Sequence, residues 1–211
     1  MARSAISLSR SGARFKPHPS ILVICEDTKS GKQYLDDASL HFRVDAKVEI
    51  SHCGKTDPKG IIESALLRQK RFDRVFCVID RDDHVSFDEA LIIAQKSPKI
   101  SVIASYPCFE FWYLLHFKYT RKSYTSVGNA SAGDRLITDL KTIPDMTNYS
   151  KGDRQGLFAS LLGEKFEHAR NAAPKIHKEA IAENEMNPST TVYELINFFE
   201  ELSAPQELVN K

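Results

Sequence analysis

From residue 20 onward, short unbroken apolar runs alternate with stretches whose apolar positions recur at helical spacing. Ile21-Leu22-Val23-Ile24-Cys25 is too short for a helix and rich in β-branched residues, so it reads as a first strand. Residues 31–42 then place Tyr34, Leu35, Ala38 and Phe42 on one helical face, and residues 47–51 return to an extended pattern. Pro58 predicts a second helix start, because proline lacks an amide that the first turn leaves unpaired in any case. The inward face of that helix would be Ile61, Ile62, Ala65 and Leu66. Residues 74–79, Arg-Val-Phe-Cys-Val-Ile, read as a central strand covered on both faces. Ser86 and Glu89, three apart, predict a capping box before Ala90, Leu91, Ile93 and Ala94. Ile100 to Ala104 is the fourth strand, and Pro107 predicts an apolar helix reaching about Phe117. This βαβαβαβα order implies a mainly parallel sheet flanked by helices.

After Lys118 the pattern changes. Residues 119–132 and 144–152 are polar or rich in turn-forming residues and predict exposed connections. Two further helices follow. One carries Leu157, Phe158, Leu161, Leu162, Phe166 and Ala169 on a stripe, and the other carries Val192, Leu195, Ile196, Phe199 and Leu202 behind a second capping box, Thr191 and Glu194. The organisation expected is a flexible basic arm over residues 1–16, an α/β core over 17–117 and a C-terminal helical extension over 118–211 packed on that core. The arm holds Arg3, Arg10, Arg14 and Lys16 with no acid, and it lacks the apolar centre of a signal peptide.

Composition narrows the class. In 211 residues, 29 Lys plus Arg stand against 28 Asp plus Glu, a net charge of +1 that excludes a strongly basic nucleic-acid coat and an acidic disordered tail. A chain of this length can bury about 70% of its unfolded surface, enough for a full core. No apolar run approaches the roughly 20 residues needed to cross a bilayer, so no membrane association is expected. Cys25, Cys53, Cys77 and Cys108 form no CxxC pair, which argues against a zinc knuckle or disulfide framework and fits a reducing cytoplasm. Cys25 and Cys77, inside apolar runs, read as small hydrophobes. Cys108 follows Pro107 at the expected helix start, where a thiolate could be stabilised, but no histidine base accompanies it. His116 and Trp112 read as packing residues.

In an open parallel sheet, functional groups gather beyond the carboxyl ends of the strands. Glu26 follows the first strand, Asp80 and Asp82 follow the third in Val78-Ile79-Asp80-Arg81-Asp82-Asp83-His84, and Glu110 falls in a first helical turn after the fourth. Carboxylates crowded at one edge take up protons, find basic partners or bind a hard cation. Asp80 and Asp82 could share Mg²⁺ or Mn²⁺, with Glu26 binding metal or accepting a proton. The alternative is that these acids serve only as turn and helix-start residues. Residues 27–32 make a polar turn into a helix, where free amides with Lys29 or Lys32 could meet a phosphate. A Walker A loop, GxxxxGK followed by Ser or Thr, is absent.

A glutamate after the first strand with a DxD after a later one resembles the TOPRIM domain of topoisomerases, bacterial primases and overcoming-lysogenisation-defect nucleases. The segments VIDRDDH, SYPCFEFWYLLHF over residues 105–117 and NPSTTVYEL over 187–195 are similar to the RloB-like family, with likeness spanning about residues 20–202. That resemblance implies a TOPRIM-like, Rossmann-like fold. It also implies a metal-dependent nuclease of antiphage defence, encoded in restriction or abortive-infection loci, often beside an AAA/ABC-type ATPase. Glu26, Asp80 and Asp82 would take the catalytic and metal-binding roles, with Glu110 in the PCFE motif as a further ligand. Lys29, Lys32, Lys151 and Arg154 are the candidate nucleic-acid contacts. The sequence departs from the family at Asp27, where glycine is usual, and at Tyr106, where asparagine is usual. A haloacid-dehalogenase-like phosphatase fits less well, because its DxD ends the first strand and continues to Thr or Val, whereas His84 stands here. A non-catalytic subunit that binds nucleic acid or an ATPase is the alternative function.

Overall fold

The computed structural model describes residues 19–45, 47–152 and 156–204. The arm expected over residues 1–16, and Arg154, lie outside the described residues. The first four strands are β1 (Ile21–Cys25), β2 (Val48–His52), β3 (Arg74–Asp80) and β4 (Ile100–Tyr106), all parallel. A fifth, β5 (Ser189–Thr190), runs antiparallel to β4, and the sheet order is β2-β1-β3-β4-β5. The protein is therefore a mixed α/β fold of Rossmann-like type with helices on both faces.

Alternation along the strands divides the core in two. Ile21, Val23, Cys25, Phe76 and Val78 face one side, against α1 (Ser30–His41), α4 (Glu110–Leu114), α5 (Ala132–Leu140), α6 (Leu157–Ser160), α7 (Glu164–Glu183) and α8 (Val192–Ser203). Leu22, Ile24, Val75, Cys77 and Ile79 face the other, against α2 (Pro58–Arg68) and α3 (Phe87–Ala94). Because α1 and α3 cover opposite faces, the loops after β1 and β3 diverge. A crevice is left at the neighbouring carboxyl ends of those strands, which is where such sheets place their ligands.

Several local expectations change. Pro58 does open α2, with Asp57 accepting from the Gly60 amide at 2.8 Å. Neither expected capping box forms. Glu89 pairs instead with Lys59 at 2.7 Å, while the Thr191 hydroxyl accepts the Ala104 amide at 2.9 Å and so fixes β5 to β4. The box that forms is Ser131 with Asp134, opening α5 in a stretch given no helix from the sequence. The fourth crossover helix starts at Glu110 rather than Pro107, since residues 107–109 turn across the end of β3: the Pro107 carbonyl accepts the Asp82 amide at 2.9 Å. The stripe from Leu157 to Ala169 breaks into α6 and α7 at Gly163, whose φ of 78° a side-chain-bearing residue adopts poorly. The connections expected to be exposed bury Tyr124, Met146 and Tyr149. Among the described residues, no helix is long and apolar enough to cross a membrane.

Candidate functional site

Glu26 continues β1 by one residue, its amide donating to the Val78 carbonyl at 3.1 Å. This pairing aims its carboxylate across the end of β3. Oε2 accepts the Asp80 amide at 2.8 Å, and Oε1 pairs with Nε2 of His84 at 3.0 Å. Burial raises the Glu26 pKa above the ordinary carboxylate range, against the opposing pull of the Asp80 amide and His84. Asp80 is pushed well above its ordinary value, first by burial and then by the charges of Glu26 and Glu110. Lys151 and the Phe109 amide act in the opposite direction. Glu26, Asp80, Gly31 and Phe109 line one small open pocket. Gly31 packs closely there, and a Cβ would stand 3.1 Å from the Phe109 ring.

Asp82 sits at φ 28°, on the positive side that aspartate tolerates better than bulkier residues do. The Arg81 amide donates to the Ser105 carbonyl at 2.9 Å, so the DxD turn is stitched to the end of β4. Oδ1 of Asp82 is buried without a hydrogen-bond partner. Burial, followed by the charge of Asp83, raises its pKa.

Glu110 is buried and ringed by donors. Oε1 accepts from the hydroxyls of Ser30 and Tyr149, both at 2.9 Å, while Oε2 faces the Lys151 ammonium at 3.5 Å without a hydrogen bond. Burial pulls the Lys151 pKa down, but Glu110, Cys108 and Asp80 more than reverse this and keep the ammonium charged. Lys29 is exposed, and its stem packs over Gly152, the residue after Lys151.

The remaining candidates sort out differently. Two amides at the start of α1 are already engaged: those of Lys29 and Ser30 go to the Asp27 carboxylate at 3.1 and 3.4 Å. Asp27 thus closes the turn that leads into α1. Lys32 is paired with Asp36 at 2.6 Å, one turn along the same helix. Cys108 does not gain a stabilised thiolate. Burial and the charges of Glu110 and Asp80 push its pKa well up. His116 packs as expected, bonded to the Trp112 carbonyl at 2.9 Å, with burial lowering its pKa to about 4. The sequence reading assigned no role to Ser30, His84 or Tyr149. His84 was signalled by its place two residues after Asp82, whereas a distant tyrosine and a helix-start serine carry no local signal.

The RloB-like protein family matches residues 21–199, a span that includes all four carboxylates and Lys151. The chain belongs to the RloB-like family. No curated protein and no solved structure matches it. Among the described residues of this RloB-like chain, no three His, Cys, Asp or Glu side chains stand together as a ready-made ligand set. Two buried carboxylate oxygens, Oδ1 of Asp82 and Oε2 of Glu110, nevertheless lack hydrogen bonds, and neighbouring negative charge burdens Asp80. Carboxylate oxygen is the donor type a hard divalent cation takes, typically from one or two side chains with several waters kept.

Proposed function

We propose that this RloB-like chain is a metal-dependent nuclease that hydrolyses phosphodiester bonds of DNA or RNA. It would act in the cytoplasm in antiphage defence, linked to abortive infection or restriction and partnered by an AAA/ABC-type ATPase. The observation that carries this reading is the position of Asp80. It lies at the crevice between β1 and β3, and both Glu26 and Glu110 raise its pKa, so added positive charge would relieve the site.

Asp80 and Asp82, with Glu26 beside them, would hold Mg²⁺ or Mn²⁺. Bound there, the ion supplies a lowered pKa for the attacking water. Glu26 is already steered by the Asp80 amide and His84, so it can accept a proton from that water while His84 balances the charge. Glu110 holds Lys151 toward the carboxylates, where its ammonium offsets charge developing on the phosphate. Lys29, whose stem packs over the residue after Lys151, serves the adjoining backbone.

A second reading, a non-catalytic subunit that binds nucleic acid or the ATPase, is favoured by one observation. Both oxygens of Glu26 already have protein partners. The thermal midpoint, measured with and without Mg²⁺ or Mn²⁺, separates the two. A native-state ligand at about 100 times its dissociation constant adds roughly 2.7 kcal/mol. For a chain of this size that is a rise of about 5–11 °C. The nuclease reading expects this rise in the native chain and its loss in Asp80→Asn/Asp82→Asn. An unchanged native midpoint with the double variant at least as stable favours the binding subunit.

A further inference from the structure

Beyond the carboxylates, on the β4 side of the DxD turn, lies a cavity of about 310 Å³. That volume falls in the roughly 300–1,000 Å³ range of small-ligand sites. Tyr106, Pro107 and Tyr124 give it aromatic and apolar walls, while Asp82, Asp83 and Ser126 supply polar edges. The wall contributed by residues 124–126 is fixed in place. Asn187 clamps the Tyr124 backbone, donating to its carbonyl at 2.6 Å and accepting its amide at 3.3 Å. Arg135 donates to the Thr125 carbonyl at 2.9 Å, and the Ser126 hydroxyl donates to Asp83 at 3.2 Å.

The charge of this cavity selects its ligand. Arg81 also lines it, but its guanidinium is drawn aside, bonded to the His84 carbonyl at 2.9 Å and lying 5.4 Å over the Phe87 ring. The carboxylates of Asp82 and Asp83 are left to dominate, so a phosphate would be repelled. A flat heterocycle with N–H donors on its edge would be accepted. Asp82 belongs both to the DxD and to this wall.

We infer that the cavity is a nucleobase subsite, taking one unstacked, amine-bearing base while Lys151 meets the phosphate of the same strand. This rests on the nuclease reading and deepens it. A paired base cannot enter without leaving its stack, so the substrate class is single-stranded or locally opened nucleic acid. Tyr106 supplies the stacking surface, and the exposed carboxylate of Asp83 receives the exocyclic amine.

The test uses the full chain in chelator, so that binding is read without cleavage. The probe is a short single strand carrying one 2-aminopurine, followed by its emission and by anisotropy. The subsite expects quenching on binding, about tenfold weaker affinity when that base is replaced by an abasic residue, and weaker affinity for the duplex form. Ser126→Trp fills the cavity from its exposed rim and should abolish the quenching with an unchanged thermal midpoint. Tyr106→Leu should reduce it. Quenching that survives Ser126→Trp, or affinity indifferent to an abasic residue at every position, overturns the subsite. Cleavage with Mg²⁺ or Mn²⁺ that ignores the base overturns the subsite while the nuclease reading stands. Base capture by a chain that never cleaves sustains the subsite and removes the nuclease reading instead.

Discussion

Glu26 and Glu110 flank the same aspartate from opposite sides, and their surroundings differ in kind. Glu26 keeps 16% of its side chain exposed, held by an amide and an imidazole at the open end of β1 and β3. Glu110 keeps 1%, enclosed by Ser30, Tyr149 and Lys151 on the β4 side. A carboxylate among solvent-reached partners can exchange them during a reaction. One that satisfies buried hydroxyls cannot leave without stranding those donors. The two glutamates thus differ in what they are free to do: Glu26 can exchange its partners, and Glu110 builds the wall that holds Lys151.

The sharpest way to break this comparison is truncation. Glu110→Ala leaves two buried hydroxyls and an ammonium without their acceptor, a loss on the order of 3 kcal/mol. The thermal midpoint should fall by about 6–12 °C. Glu26→Ala forfeits the Asp80 amide bond and the partly exposed His84 pair but relieves repulsion on Asp80, so its stability should stay within about 1 kcal/mol of the native chain. Equal damage from the two substitutions would refute this difference.

A pH series in chelator tests the charge on Asp80 itself. Its folded pKa lies above its unfolded value, so the native state binds more protons between the two. Stability from this group is therefore greatest below the ordinary aspartate range and falls as pH rises through the raised value. Asp80→Asn should be at least as stable as the native chain at about pH 8, with the gap closing toward about pH 4. A gap that widens toward acid would reverse the assigned sign. Tyr149→Phe removes one of the two donors to Oε1 of Glu110 and should cost about 1 kcal/mol, read in denaturant melts. The smallest change in stability belongs to His84→Gln, under about 1 kcal/mol because the pair with Glu26 is partly exposed. Its effect should appear in the pH profile of cleavage, and an unchanged profile would remove His84 from the proton path.

The first four strands were legible because their apolar runs are local signals. Ile21 to Cys25 and Arg74 to Ile79 had to be buried on both faces, and a parallel α/β sheet is the arrangement that does this. Glu26 and Asp80 were legible for the same reason, each standing at the end of such a run. Helix starts were read less well. Ser86 and Thr191 have the right neighbours for capping, but Glu89 finds Lys59 and Thr191 finds the Ala104 amide, partners from elsewhere in the chain. Ser189–Thr190 is too short for a periodic signal, and it becomes a strand only where the edge of β4 offers it bonds. Asp27 takes the Lys29 and Ser30 amides, local bonds that spacing alone did not favour over a phosphate.

The sequence by itself determined the α/β class, the parallel strands and which acids end them, since period and burial are properties of short stretches. Only the tertiary structure decided what each acid meets. Ser30 and Tyr149 reach Glu110 from 80 and 39 positions away, and Lys151 closes on it from a segment that reads as an exposed loop. The cavity beside Asp82 likewise joins β4, the 124–126 segment and Asn187. Hydrogen bonds and charge act over a few ångströms of space whatever the separation along the chain, so the roles of these side chains were set when the chain folded.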